Sequence, residues 1–158
     1  ALLDIGAEGS GRLVTEVRKN VNAYKKDEEW LLIDGSPGIG CVVIASITGT
    51  DAVVVVSEPT KSGQSDLERV LGVAKHFGVP AFVCINKYNL NLKVTSEIEE
   101  YCENNGYPVI GKIPLEPSIV KALQEFKTPI EAGNKVITNE IKNLWARLVD
   151  EVENLKKA

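Results

Sequence analysis

Methionine is missing altogether, and the 158-residue chain has one histidine, two tryptophans and three cysteines. Each shortage excludes something. With His76 as the sole imidazole, no Ser–His–acid or Cys–His arrangement is compelling. Its place near the end of an expected helix, where the dipole favours a cation, reads as structural. Cys41, Cys84 and Cys102 are odd in number, widely spaced and free of any CxxC pair. That pattern excludes iron–sulfur or zinc ligation by this chain and reads as reduced, mostly buried thiols of a cytoplasmic protein. No apolar run is long enough to span a bilayer, and no signal peptide is visible. A net charge of −4 argues against general binding to nucleic acid or anionic membrane. Without methionine the sequence as written does not start at an initiator. Initiator removal explains that blandly, and the sharper expectation is the later part of a longer protein.

What is present is ordinary globular material, 44% hydrophobic and 25% charged, of a size suited to one domain over residues 1–158. Short β-branched runs alternate with helical periodicity, the signature of βαβ units around a parallel sheet. Strands are expected at Leu2–Ile5, Trp30–Asp34, Ala52–Ser57, Ala81–Asn86 and Val109–Ile113. Val53–Val56 and Phe82–Ile85 are continuously apolar, as strands covered by helices on both faces must be. Helices are expected at Gly11–Tyr24, Cys41–Thr48, Ser65–Phe77, Ser96–Asn104, Ser118–Phe126 and Lys135–Lys156. Ser65 and Glu68 form a candidate capping box, and Gly78 with Pro80 stops that helix. The last helix places Ile137, Ile141, Leu144, Trp145, Leu148, Val152 and Leu155 on one side. Its other face mixes Lys142, Arg147 and Lys156 with Glu140, Asp150 and Glu153, which suits packing on a sheet rather than a membrane surface.

The most informative stretch is Leu31 to Gly40, an apolar run ending in Asp34 and passing into Gly35-Ser36-Pro37-Gly38-Ile39-Gly40. Glycines there let backbone N–H groups approach an anion. One carboxylate can hold Mg²⁺ through its waters, because magnesium keeps most of its hydration shell. Any strand-to-helix turn also favours Asp, Pro and Gly, so a purely structural use stays open. At the same expected rim, Asn86-Lys87 closes a strand where α/β sheets bind ligands, and Asn86 offers a purine edge both donor and acceptor. Guanine readers place an Asp two residues after the Lys; here stands Asn89, so adenine is favoured. Glu58 follows another strand, as a partner for magnesium-bound water or an acid ordering its loop. Pro114 to Glu116 follows the next and could line a base, or simply end a strand and begin a helix. Gly6 to Leu13 nearly matches GxxxxGK[ST], but Arg12 and Leu13 replace the lysine and the Mg²⁺-binding hydroxyl, and Glu8 would repel phosphate.

Together IDGSPGIGC, SEPTKSGQSDLERV, CINKYNLN and GKIPLEPSIVKAL, in this order between about Gly6 and about Lys135, resemble the MinD/ParA superfamily of P-loop ATPases. The branch they resemble most carries an inserted ferredoxin domain. The resemblance implies a three-layer, Rossmann-like α/β fold of P-loop NTPase type, its mostly parallel sheet incomplete on the N-terminal side. It implies ATP or ADP with Mg as ligands of the complete domain. Asp34 would be the magnesium-shell acid, Gly38 the amide facing the γ-phosphate, and Gly35, Ser36 and Pro37 the rest of that loop. Asn86 and Lys87 would read adenine, with Glu58 at the rim and Pro114 and Glu116 beside the base. Glu116 departs from the family's usual Asp. The family's lysine loop and ferredoxin insert would precede Ala1, so the chain alone is expected to lack appreciable ATPase activity. A homodimer, or pairing through the open sheet edge, and an iron–sulfur or redox partner are expected. A non-catalytic interaction module of the same fold is the competing reading. An amide-forming enzyme of the cobyrinic acid a,c-diamide synthase type ranks lower, for want of a Cys–His pair, and a GTPase lowest, because of Asn89.

Overall fold

A computed structural model describes residues 10–24 and 30–157. Three strands, β1 (Val53–Ser57), β2 (Ala81–Asn86) and β3 (Val109–Ile113), form a parallel sheet in the order β1-β2-β3. Six α-helices accompany them: α1 (Ser10–Tyr24), α2 (Cys41–Ile47), α3 (Lys61–His76), α4 (Leu92–Asn105), α5 (Pro117–Gln124) and α6 (Lys135–Lys157).

The continuously apolar β2 is central, and its alternate residues serve two cores. Val83 and Ile85 enter one built from Val43 and Ile47 of α2, Leu67 and Leu71 of α3, and Val94, Ile98 and Cys102 of α4. Phe82 enters the other with Ile110 and with Leu148 and Val152 of α6. Helices therefore cover both faces, as the sequence implies. The α6 stripe packs on β3 as expected, so closely that a Cβ on Gly111 would lie 2.7 Å from Leu144 Cδ1. Trp145 of α6 meets Trp30 edge to face, ring centroids 5.0 Å apart.

Three expectations change. The run Trp30–Asp34 forms no strand and pairs with nothing among the described residues. Strand-forming residues need a neighbour's N–H and C=O groups, and none lies alongside. Leu31 and Leu32 are 47% and 73% exposed. Helix α3 begins at Lys61, not Ser65, because Thr60 sits in an extended conformation and its hydroxyl accepts from Gly63 N. Helix α4 likewise begins at Leu92, capped by the Asn91 carboxamide on Val94 N, rather than at Ser96. In both, the earlier cap wins because it satisfies donors that otherwise have no partner. The expected strand Leu2–Ile5 and the Gly6–Gly9 part of the near P-loop lie outside the described residues. Arg12 and Leu13 stand in the first turn of α1. Among the described residues no helix is long and apolar enough to cross a membrane.

Candidate functional site

In a parallel sheet every strand delivers its exit loop to the same rim, the usual ligand edge of an α/β fold. The loops after β1, β2 and β3 here carry Glu58, Asn86-Lys87 and Pro114–Glu116. The first two are joined directly: Lys87 Nζ lies 2.6 Å from Glu58 Oε1, with both side chains 40% exposed. At that exposure the pair stabilises by at most about 1 kcal/mol, so its main effect is to fix the loops. The contact ties the loop after β1 to the loop after β2, with Glu58 partly exposed rather than buried.

Lys87 also has a left-handed backbone, φ 54 and ψ 37, which costs a non-glycine residue roughly 1–2 kcal/mol. Asn86 helps to hold it there, since its Oδ1 accepts from Lys87 N at 3.0 Å. The carboxamide of Asn86 is thereby set at the strand end with its NH₂ group still able to donate. The β1 exit is equally tight. Ser57 Oγ donates to Gly63 O at 3.0 Å, and a Cβ on Gly63 would come within 2.3 Å of Glu58 O.

The third loop is tied to the second by a residue that the sequence marks only as a missing guanine reader. Asn89 Oδ1 accepts from Leu115 N at 2.6 Å. The 3₁₀ turn carrying it, Tyr88–Leu90, is itself anchored. Thr95 Oγ1 donates to Tyr88 O at 2.6 Å, and the Lys112 ammonium lies 5.7 Å from the Tyr88 ring centre. Pro114 and Glu116 are half-buried, and Glu116 Oε1 accepts from Ser118 Oγ at 3.3 Å. Neither Lys87's left-handed backbone nor the bond from Asn89 to Leu115 had been read from the sequence. The available signal was the run of asparagines at 86, 89 and 91, a residue type that bonds backbone and tolerates left-handed φ.

Asp34, Gly35, Ser36 and Pro37 are exposed. Gly35 faces Ser46 in the later half of α2, with 3.8 Å between its Cβ position and Ser46 Cβ. Gly38 has φ +96, a conformation that favours glycine, and nothing lies within 4 Å of where its Cβ would be. Among the described residues no ion pair or side-chain hydrogen bond joins Asp34 or Ser36 to Glu58, Asn86 or Lys87. The structure thus brings together Glu58, Asn86, Lys87, Asn89 and the Pro114–Glu116 loop. The acid and its glycines form an exposed turn that makes no such bond to these residues among the described ones.

Nucleophilic chemistry has little support elsewhere. Burial pushes the Cys84 thiol up to about 11, and burial with the nearby Glu99 charge does the same for Cys102. Both are therefore protonated and unreactive at neutral pH. Cys41 is exposed, so the expectation of mostly buried thiols holds for two of the three. His76 is the last residue of α3, stacked edge-on to Phe77 at 5.0 Å. Among the described residues no group of three or more His, Cys, Asp or Glu side chains comes together to hold a metal.

No protein-family model matches the chain. It is 28% identical over 148 residues to the Methanocaldococcus jannaschii protein MJ0578, covering 92% of this chain and 48% of that protein. An ATP-binding protein of the same organism, MJ0547, is 31% identical over 108 residues, 65% of this chain and 38% of that one. A Caenorhabditis elegans homologue of the cytosolic Fe-S cluster assembly factor NUBP1 is 27% identical over 166 residues, covering 88% and 50%. The chain spans about half the length, or less, of these relatives. Among solved structures, the MinD cell division protein of Aquifex aeolicus superposes with a TM-score of 0.71 at 17% identity, over 89% of this chain and 61% of that one.

Proposed function

We propose that this chain, a relative of the MinD/ParA superfamily of P-loop ATPases that shares the MinD fold, is the base-binding half of an adenine-nucleotide site. The observation that carries the reading is the joined rim. Asn86 is set at the end of β2 with a free donor, and Asn89 holds the Pro114–Glu116 loop beside it. Together they offer a purine one amide edge and one main-chain wall. Asp34, Gly35, Ser36, Pro37 and Gly38 would serve the phosphate side, Gly38 through its main-chain amide. The donor set suits Mg²⁺, because a single exposed carboxylate is enough for an ion that keeps most of its waters. Bound there, magnesium would neutralise charge on the phosphate oxygens.

The near P-loop carries Arg12 and Leu13 where a working one has its lysine and its Mg²⁺-binding hydroxyl, so this chain would hold a nucleotide chiefly through the base. Positioning and charge stabilisation of the phosphates are then missing, and so is most of the rate. The chain alone is therefore expected to hydrolyse no ATP at a measurable rate. The complete protein is proposed to use ATP binding and hydrolysis in a cytoplasmic, iron–sulfur-associated role, in line with the naming of the nematode relative as a cytosolic Fe-S cluster assembly factor homologue.

Titration with Mg·ADP and with adenosine tests the reading. Weak adenine-selective binding, reduced about tenfold by Asn86→Ala, is the expected result, and equal response to adenosine and uridine would overturn it.

The partner surface follows from β1. Val53 N donates to Pro80 O on the β2 side, so the peptide groups of Val54 and Val56 face away from β2. No strand pairs with that edge among the described residues, and Val56 is 61% exposed. Within Val53–Ser57 there is no proline, charge or bulge to protect it, and such an edge is a template for another strand. That same edge is what favours the second reading, a non-catalytic interaction module, which predicts strand pairing with no purine binding at all.

A further inference from the structure

We infer that Asn89 is the positioning residue of the base pocket and sets its choice of purine, an inference that rests on the adenine-nucleotide reading above.

Three asparagines share the β2 exit, and each accepts one backbone N–H. Two do so locally: Asn86 from Lys87, and Asn91 from Val94 at the start of α4. Asn89 alone reaches another loop, 26 residues away in sequence. Among the described residues it makes the one side-chain hydrogen bond between the β2–α4 and β3–α5 connections. The β3–α5 loop needs this help. It is bracketed by Pro114 and Pro117, which have no N–H to donate. Leu115 N sits between them at the surface, with its side chain 43% exposed. Without Asn89 the loop would be held by β3 at one end and α5 at the other, free to move relative to Asn86. With it, the main chain at Leu115 is fixed to a turn that Thr95 and Lys112 already anchor.

The same bond fixes selectivity by arithmetic. A guanine edge presents two donors, at N1 and N2, which two carboxylate oxygens can accept together. A carboxamide has one acceptor oxygen with two lone pairs, and here Leu115 N takes one of them, so Asn89 cannot accept from N1 and N2 together while it holds the loop. An aspartate would keep one oxygen on Leu115 N and free the other, with its charge, for guanine. Asn89→Asp is therefore a conservative change for the loop and a non-conservative one for the ligand. Asn89→Ala is the reverse case, because it releases the loop and adds no acceptor.

Equilibrium binding of adenosine, guanosine and tripolyphosphate to the full chain and to these two variants tests the inference. Asn89→Ala is expected to weaken adenosine binding about tenfold, the effect of one lost positioning bond. It should speed hydrogen exchange at the Leu115 amide and leave the tripolyphosphate response unchanged. Asn89→Asp is expected to keep adenosine affinity within about threefold and to raise the guanosine-to-adenosine ratio about tenfold or more. If the wild-type chain binds adenosine and neither variant changes its affinity or that ratio, the inference falls while the nucleotide reading stands. If the wild-type chain binds no purine, both fall. Asn89 caps no helix and is exposed, so loss of fold is not the expected route to any of these results.

Discussion

Ala81–Asn91 and Trp30–Gly40 are built on one sequence plan, an apolar run that ends in a polar residue and enters a turn. The first is the most buried strand of the molecule, flanked by β1 and β3, and its turn is held by bonds from Asn86, Asn89 and Thr95. The second has no ladder partner among the described residues, and its Leu31, Leu32 and Ile39 face solvent while Trp30 packs on α6. Composition does not separate them, and neighbours do. A strand is a relation between two chains of peptide groups, so half of the condition is written elsewhere in the polypeptide.

Alkaline pH should damage the ordered region most. Cys84 and Cys102 titrate near 11 in the fold against 9.0 when unfolded. As pH rises past 9 the unfolded chain releases protons that the folded one retains. Stability is therefore intact below about pH 9 and falls between there and pH 11, by roughly 2–3 kcal/mol per thiol. Urea midpoints at pH 8 and pH 10.5, compared with those of a Cys84→Ala variant, check both the sign and the share. A flat profile would refute the burial that separates β2 from the open stretch.

Gly63→Ala comes next. Its methyl group would have to occupy space 2.3 Å from the Glu58 carbonyl, a backbone clash worth about 3 kcal/mol or more. The corresponding change in the open turn, Gly38→Ala, meets no atom within 4 Å and only the left-handed φ opposes it, for a loss of roughly 1–2 kcal/mol. Thermal unfolding of the two variants side by side should rank them in that order, and the reverse ranking would mean that the Asp34 turn is the tighter of the two. Smallest in stability is Val56→Lys on the outer edge of β1, with a change within about 0.5 kcal/mol. Its effect belongs to association: sedimentation should show less self-association than wild type if that edge pairs with another strand.

Much of this was legible beforehand. Three strands and six helices follow from runs such as Val53–Val56 and from the stripe on α6, because those patterns answer to burial that the elements create among themselves. Helix starts were less legible. Ser65 and Glu68 satisfy the local rule for a cap, but Thr60 and Asn91 reach unbonded N–H groups first. The rim residues Glu58, Asn86, Lys87 and Pro114–Glu116 could be placed because strand ends in a parallel sheet converge whatever their side chains. The role of Asn89 could not, since its partner lies 26 residues on and nothing local announces it. Asp34 could be singled out but not placed, because placing it needs the ladder that Trp30–Asp34 lacks.

The edge-on contact between Trp30 and Trp145 involves the only two indoles in the chain. Ultraviolet emission and near-ultraviolet dichroism therefore arise chiefly from one junction, where Trp30 touches α6. Any event that seats or releases that contact, nucleotide or partner alike, should change the optical signal without a label. The chain carries its own gauge of how Trp30–Gly40 sits on α6.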